Sequence, residues 1–115
     1  MSESYNVIRL EGVLDISRYP EFRTEFEELR RSVPVLIDLT SAEAADSVFL
    51  AELLMARRRH DAPFSVLLPA GSNLAKLFEI AGLREKMRIY TDLTAAIDSL
   101  ELGIPEEPGE GLPLT

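Results

Sequence analysis

Apolar residues follow two rhythms along this chain. Short, nearly unbroken runs, Val35-Leu36-Ile37 and Phe64-Ser65-Val66-Leu67-Leu68, fit strands buried on both faces. Tyr5 to Leu10 and Met87 to Tyr90 read as further strands. Glu11-Gly12 reads as a tight turn, and Val13-Leu14-Asp15 as a short returning strand or strand end. Between the runs the apolar positions recur at intervals of three and four. Phe22, Phe26 and Leu29 form one such stripe, Leu50, Leu53 and Leu54 a second, Leu74, Leu77 and Phe78 a third, and Leu93, Ala96, Ile97 and Leu100 a fourth. Each predicts a helix with one face toward a core.

Local signals bound these elements. Asp15 or Ser17 can cap the first helix, with Pro20 in its first turn. Asp46-Ser47 opens the second, and Arg57, Arg58 and Arg59 sit near its end, where cations suit the helix dipole. Asp61-Ala62-Pro63 breaks the chain, Ser72 or Asn73 caps the third helix, and Gly82 suits the position after it. Thr91-Asp92 starts the last helix. Strands joined through helices imply an α/β fold with a largely parallel sheet, and spacing leaves open whether helices cover one face or both. The expected domain spans residues 1–102. From Gly103, GIPEEPGEGLPLT concentrates proline and glycine, so residues 103–115 are expected to form a flexible tail.

Charge narrows the partners. Twenty acidic residues against twelve basic ones give a formal net charge of −8. Nucleic acid and anionic membranes select a basic footprint, so this balance argues against both and for a more basic protein partner. No cysteine is present, which removes disulfide and thiol chemistry. No apolar run approaches the ~20 residues of a membrane span. MSESYNV lacks the basic start and apolar core of a secretion signal, so a cytoplasmic location is expected.

The chemistry available is sparse. His60, the sole histidine, lies thirteen positions after Ser47, about 20 Å along a helix and far beyond hydrogen-bond reach. A hydrolase triad and a zinc site are therefore not expected, and no phosphate-loop or dinucleotide motif occurs. Gly71-Ser72-Asn73 could hold an anion at a helix start, but reads better as a turn and cap. Asp38 and Asp46 could meet near the C-terminal end of the sheet, though strand-end and cap roles account for both. No enzyme activity, metal or cofactor is expected. Ser47 stands out as a hydroxyl at the exposed, partly positive mouth of a helix.

The strand Val35-Leu36-Ile37, the following loop and the Asp46-Ser47 helix start resemble the STAS domain, named after sulfate transporters and anti-sigma factor antagonists. Gly12-Val13-Leu14-Asp15 and the segment from Leu83 to Leu100 are similar to other parts of that family. The resemblance implies a mixed, mostly parallel sheet of four or five strands flanked by about four helices. In the bacterial antagonists a similar Asp-Ser pair carries regulatory phosphorylation on the serine, which puts that role on Ser47. Val48 and Phe49 replace the small residues usual after it, with Leu50 kept. Two functions follow as expectations. One is an antagonist-like regulator that binds an anti-sigma factor or related serine-protein kinase and is switched at Ser47. The other is a constitutive STAS adaptor, for instance in an ABC-type lipid transport system. If the Leu50, Leu53 and Leu54 stripe faces the sheet, Asp46, Ser47, Val48, Phe49, Glu52 and Met55 form the docking surface. The alternative for Phe49 is to pack under a neighbouring loop. A monomer or weak dimer is expected.

Overall fold

The computed structural model describes residues 5–101. The expected tail from Gly103 onward lies outside them. The described residues form six strands and four α-helices in the order β1 (Asn6–Arg9), β2 (Gly12–Leu14), α1 (Tyr19–Glu27), β3 (Val35–Asp38), β4 (Ala42–Ala45), α2 (Ser47–Arg59), β5 (Phe64–Leu67), α3 (Asn73–Ile80), β6 (Arg88–Tyr90) and α4 (Leu93–Glu101). Two short 3₁₀ turns, Ile16–Arg18 and Leu83–Glu85, precede α1 and β6.

The main sheet has the order β1-β3-β5-β6, and every pairing in it is parallel. The unbroken apolar runs occupy its centre. All four residues of β3 and all four of β5 are buried, because helices lie on both faces. Alternation along each strand separates two cores. Val35, Ile37, Phe64 and Val66 point into the larger one, with Phe22 and Phe26 of α1, Phe49 and Leu53 of α2, and Leu74 and Phe78 of α3. Leu36 and Leu67 point the other way, onto Ala96 and Leu100 of α4. The side left open by spacing is thus decided: three helices cover one face and one covers the other.

Beside this sheet, β2 and β4 form a parallel two-stranded ladder. Val13-Leu14 therefore does not return along β1 but pairs with Ala44-Ala45 across a register shift. Ala42-Glu43-Ala44-Ala45 has neither apolar alternation nor β-branched residues, so its sequence reads as loop. Pairing with β2 makes it a strand. Gly12, at φ +77°, supplies the left-handed turn between β1 and β2.

The caps of α2, α3 and α4 fall where expected, but the expected Asp15 or Ser17 cap of α1 is a correction: the N-cap of α1 is Arg18, without a side-chain cap bond, because a 3₁₀ turn intervenes. Asp15 accepts from Ser17 N at the first 3₁₀ turn, Ser72 from Ala75 N, and Asp92 from Ala95 N. The stripe of α2 is a correction. Its buried residues are Phe49, Leu53 and Ala56, while Leu50 and Leu54 are only partly buried. The inward face is rotated toward Phe49 relative to the expected Leu50, Leu53 and Leu54 stripe. The aromatic ring displaces that stripe because it fills the space against α1, 5.0 Å from Phe22 in an edge-on contact and 6.1 Å from Phe26.

Candidate functional site

The candidate site is the start of α2 and the chain that abuts it. Asp46 is the N-cap, with extended backbone and its Oδ1 accepting from Phe49 N at 3.0 Å. Its Oδ2 accepts from Ile16 N, also at 3.0 Å. The Asp46 amide donates to the Leu14 carbonyl at 3.1 Å. One residue thus joins α2 to the end of β2 and to the turn that leads into α1. Both carboxylate oxygens are engaged in structure.

Ser47 follows as the first helical residue and is exposed. Amides in the first turn have no partner within a helix, so the hydroxyl stands where negative charge is favoured. Ser47, Ala51 and Met55 recur every fourth residue and are all exposed, which makes them the outward ridge of α2. Met55 keeps 47% of its surface. Asp46, Val48 and Glu52 are half-buried along the flanks. Phe49 is a correction: it is fully buried and cannot belong to a docking surface. It does not lie under a loop either, but in the core between α1 and α2.

Two further exposed apolar residues lie on the chain that abuts the start of α2. Ile16, 63% exposed, is held by Asp46, and Val13 lies on β2. A lone isoleucine between Asp15 and Ser17 has no periodicity, so only its tether to Asp46 places it at the site. The surrounding chain is braced. Arg18 donates to the Glu11 and Val13 carbonyls and forms a two-pronged ion pair with Glu21. Hydrogen bonds from the Ser17 hydroxyl and amide hold the Asp15 carboxyl below its ordinary pKa.

The other candidate residues lie apart. Burial pushes the Asp38 carboxyl up, but bonds from the Thr40 hydroxyl and amide and from Arg9 outweigh this and hold its pKa below the ordinary value. Asp38 and Asp46 therefore serve different partners and form no acid–base pair. His60 caps the far end of α2, with its Nε2 donating to the Val33 carbonyl at 2.7 Å and its ring edge-on to Phe64. Ser47 and His60 thus stand at opposite ends of a 13-residue helix, so no serine–histidine pair can act. The Ser72 hydroxyl donates to the Pro69 carbonyl and accepts from Ala75 N, in keeping with a turn and cap. Among the described residues no cluster of three or more His, Asp or Glu could hold a metal. None of the described helices is long and apolar enough to cross a membrane.

Two clefts open elsewhere. One of about 270 Å³ lies between the ends of α1 and α2, lined by Phe26, Arg31, Arg59 and His60 among others. The other, about 260 Å³, lies between α3 and β6, beside Ser72, Lys76 and Arg84. Neither of these two clefts is lined by Asp46 or Ser47.

The fold is thus a parallel sheet covered on both faces, with an exposed serine opening α2. The family model described as "Mlab, STAS domain" matches residues 1–93, and the chain belongs to the STAS family. A solved structure, an anti-sigma factor antagonist from Mycobacterium paratuberculosis, superimposes with a TM-score of 0.77 at 20% identity, covering 88% of this chain and 90% of that one. At that identity the likeness establishes the fold. Among curated proteins nothing matches.

Proposed function

We propose that this chain is a non-enzymatic, cytoplasmic regulator that binds an anti-sigma factor or related serine-protein kinase through the α2 start and is released when Ser47 is phosphorylated. The observation that carries the reading is the exposed Ser47 hydroxyl at the first turn of α2, next to the Asp46 cap that holds Ile16, on a helix whose outward ridge also exposes Met55. Ser47 is a substrate in this mechanism; the partner supplies nucleotide, metal and base.

A phosphoryl group adds about −1.5 to −2 charge. At a helix N-terminus it interacts favourably with the dipole, by roughly 0.3–1 kcal/mol, so the fold tolerates it. A partner fitted to a neutral hydroxyl must instead accept a dianion in a dry interface. That costs several kcal/mol when no cation meets it, and each ~1.4 kcal/mol is tenfold in affinity. The docking surface consists of Ser47, Met55 and Ile16, flanked by Asp46, Val48 and Glu52, and it excludes Phe49.

The second reading is a constitutive adaptor, such as a subunit of an ABC-type lipid transport system, with Ser47 only a helix residue. It is favoured by Val48 and Phe49 after the serine, and the matched family model is described as Mlab rather than as an antagonist. Affinity capture with wild type, Ser47→Ala and Ser47→Glu as baits separates the two. A kinase-like ATPase held by the first two and lost by Ser47→Glu supports the switch. A partner held equally by all three removes the switch and supports the adaptor.

A further inference from the structure

The two acceptor bonds of Asp46 differ in kind. The bond to Phe49 N spans three residues, is half-buried and belongs to the cap of α2 itself. The bond to Ile16 N spans thirty residues, is exposed and joins a separate element. Ser47, the next residue, carries the hydroxyl at issue. We infer that Asp46 is a positioning residue that transmits the charge state of Ser47 to the Ile16 turn, holding the turn in its docking geometry when Ser47 is neutral and releasing it when Ser47 is phosphorylated. The inference rests on the switch reading and adds how the signal spreads beyond the modified atom.

A phosphoryl dianion on Ser47 stands beside the Asp46 carboxylate, drawn to the first-turn amides that the cap leaves free. Like charges repel, and the carboxylate yields the bond that is least supported. The cap to Phe49 is sequence-local and sheltered, so it persists. The Ile16 bond is exposed and long-range, so it weakens first. Because the Asp46 amide still donates to the Leu14 carbonyl, β2 stays in place and the change is confined to the turn after it. Ile16, 63% exposed, is the apolar residue that moves.

Asp46→Asn separates the two bonds. Asparagine caps helices as well as aspartate does, so its carbonyl oxygen keeps Phe49 N, but its amide nitrogen cannot accept from Ile16 N. Amide hydrogen exchange on the full chain reads both sites without any partner. The inference expects Ile16 N–H to exchange about tenfold faster or more in Asp46→Asn, and likewise in a chain carrying phosphoserine at position 47, while Phe49 N–H and the melting temperature hold. Ser47→Ala should match wild type. An unchanged Ile16 amide in Asp46→Asn overturns the tether. A freed Ile16 in Asp46→Asn but not in the phosphorylated chain overturns the transmission. If Ile16 is freed by phosphoserine yet the partner stays bound, the transmission stands and the release reading falls.

Discussion

Phe49 shows how far one side chain can sit from its sequence-level role. Its neighbours suggest a docking residue, yet it lies edge-on to Phe22 at 5.0 Å with no exposed surface. Truncating it leaves a cavity between α1 and α2, and Phe49→Ala should cost about 3–5 kcal/mol in urea denaturation. Met55, exposed on the same helix, should change stability by no more than about 0.5 kcal/mol when replaced by alanine. The reverse order would mean that Met55, not Phe49, faces the core. The same contrast governs binding. Loss of affinity in Phe49→Ala should follow loss of folded protein, whereas in Met55→Ala it should appear with the fold intact.

At the scale of elements, α4 is the only described helix on its face of the sheet, and one polar contact pins it there. Ser99 Oγ donates to the Ala96 carbonyl at 2.8 Å, which leaves Ser65 Oγ of β5 to donate to Ser99 across 2.9 Å. Both residues are buried. The two are therefore not equivalent. Ser99→Ala strands a buried hydroxyl on Ser65 and should cost about 1–3 kcal/mol, while Ser65→Ala leaves Ser99 still bonded and should cost less. The double variant should recover part of the Ser99→Ala loss in chemical denaturation. Equal single effects that add in the double variant would show that the pair does not act as a unit. Neither serine announces itself in sequence. Ser65 interrupts an apolar run and Ser99 sits between two stripe positions, so only the docking of α4 brings them together.

For the whole molecule, pH links separate parts of the fold to one stability. Burial lowers the His60 pKa below its ordinary 6.5, against the opposing pull of its bond to the Val33 carbonyl and of the Asp61 charge; Arg57 and Arg31 reinforce the lowering. The unfolded chain then binds the proton more readily. The stability His60 contributes is present above pH 6.5 and is lost as pH falls through its folded value. Asp38 follows the same sign lower down, its stability present above 3.8 and lost as pH drops through its folded value. Urea midpoints should therefore hold from pH 8 to 7, begin to fall below 6.5, and fall again in the acid range. His60→Gln, which can still donate to the Val33 carbonyl, should remove the first decline only; a wild-type midpoint that stays flat from pH 7 to 5 would rule out the buried neutral imidazole. Much of this molecule was legible before its structure. Unbroken apolar runs between helix-period segments determined an α/β fold with β3 and β5 at its centre, because a strand covered on both faces has no solvent side to mark. Cap and turn chemistry placed most helix starts for reasons local to a few residues, and the Asp46-Ser47 opening of α2 was among them. Three features waited for the tertiary structure. β4 is a strand only because β2 lies beside it, α2 turns Phe49 inward only because α1 offers it an aromatic pocket, and Ile16 reaches Ser47's neighbourhood only through a carboxylate thirty residues away. Each depends on contacts between segments distant in sequence, and such contacts leave no periodic signal in either partner alone.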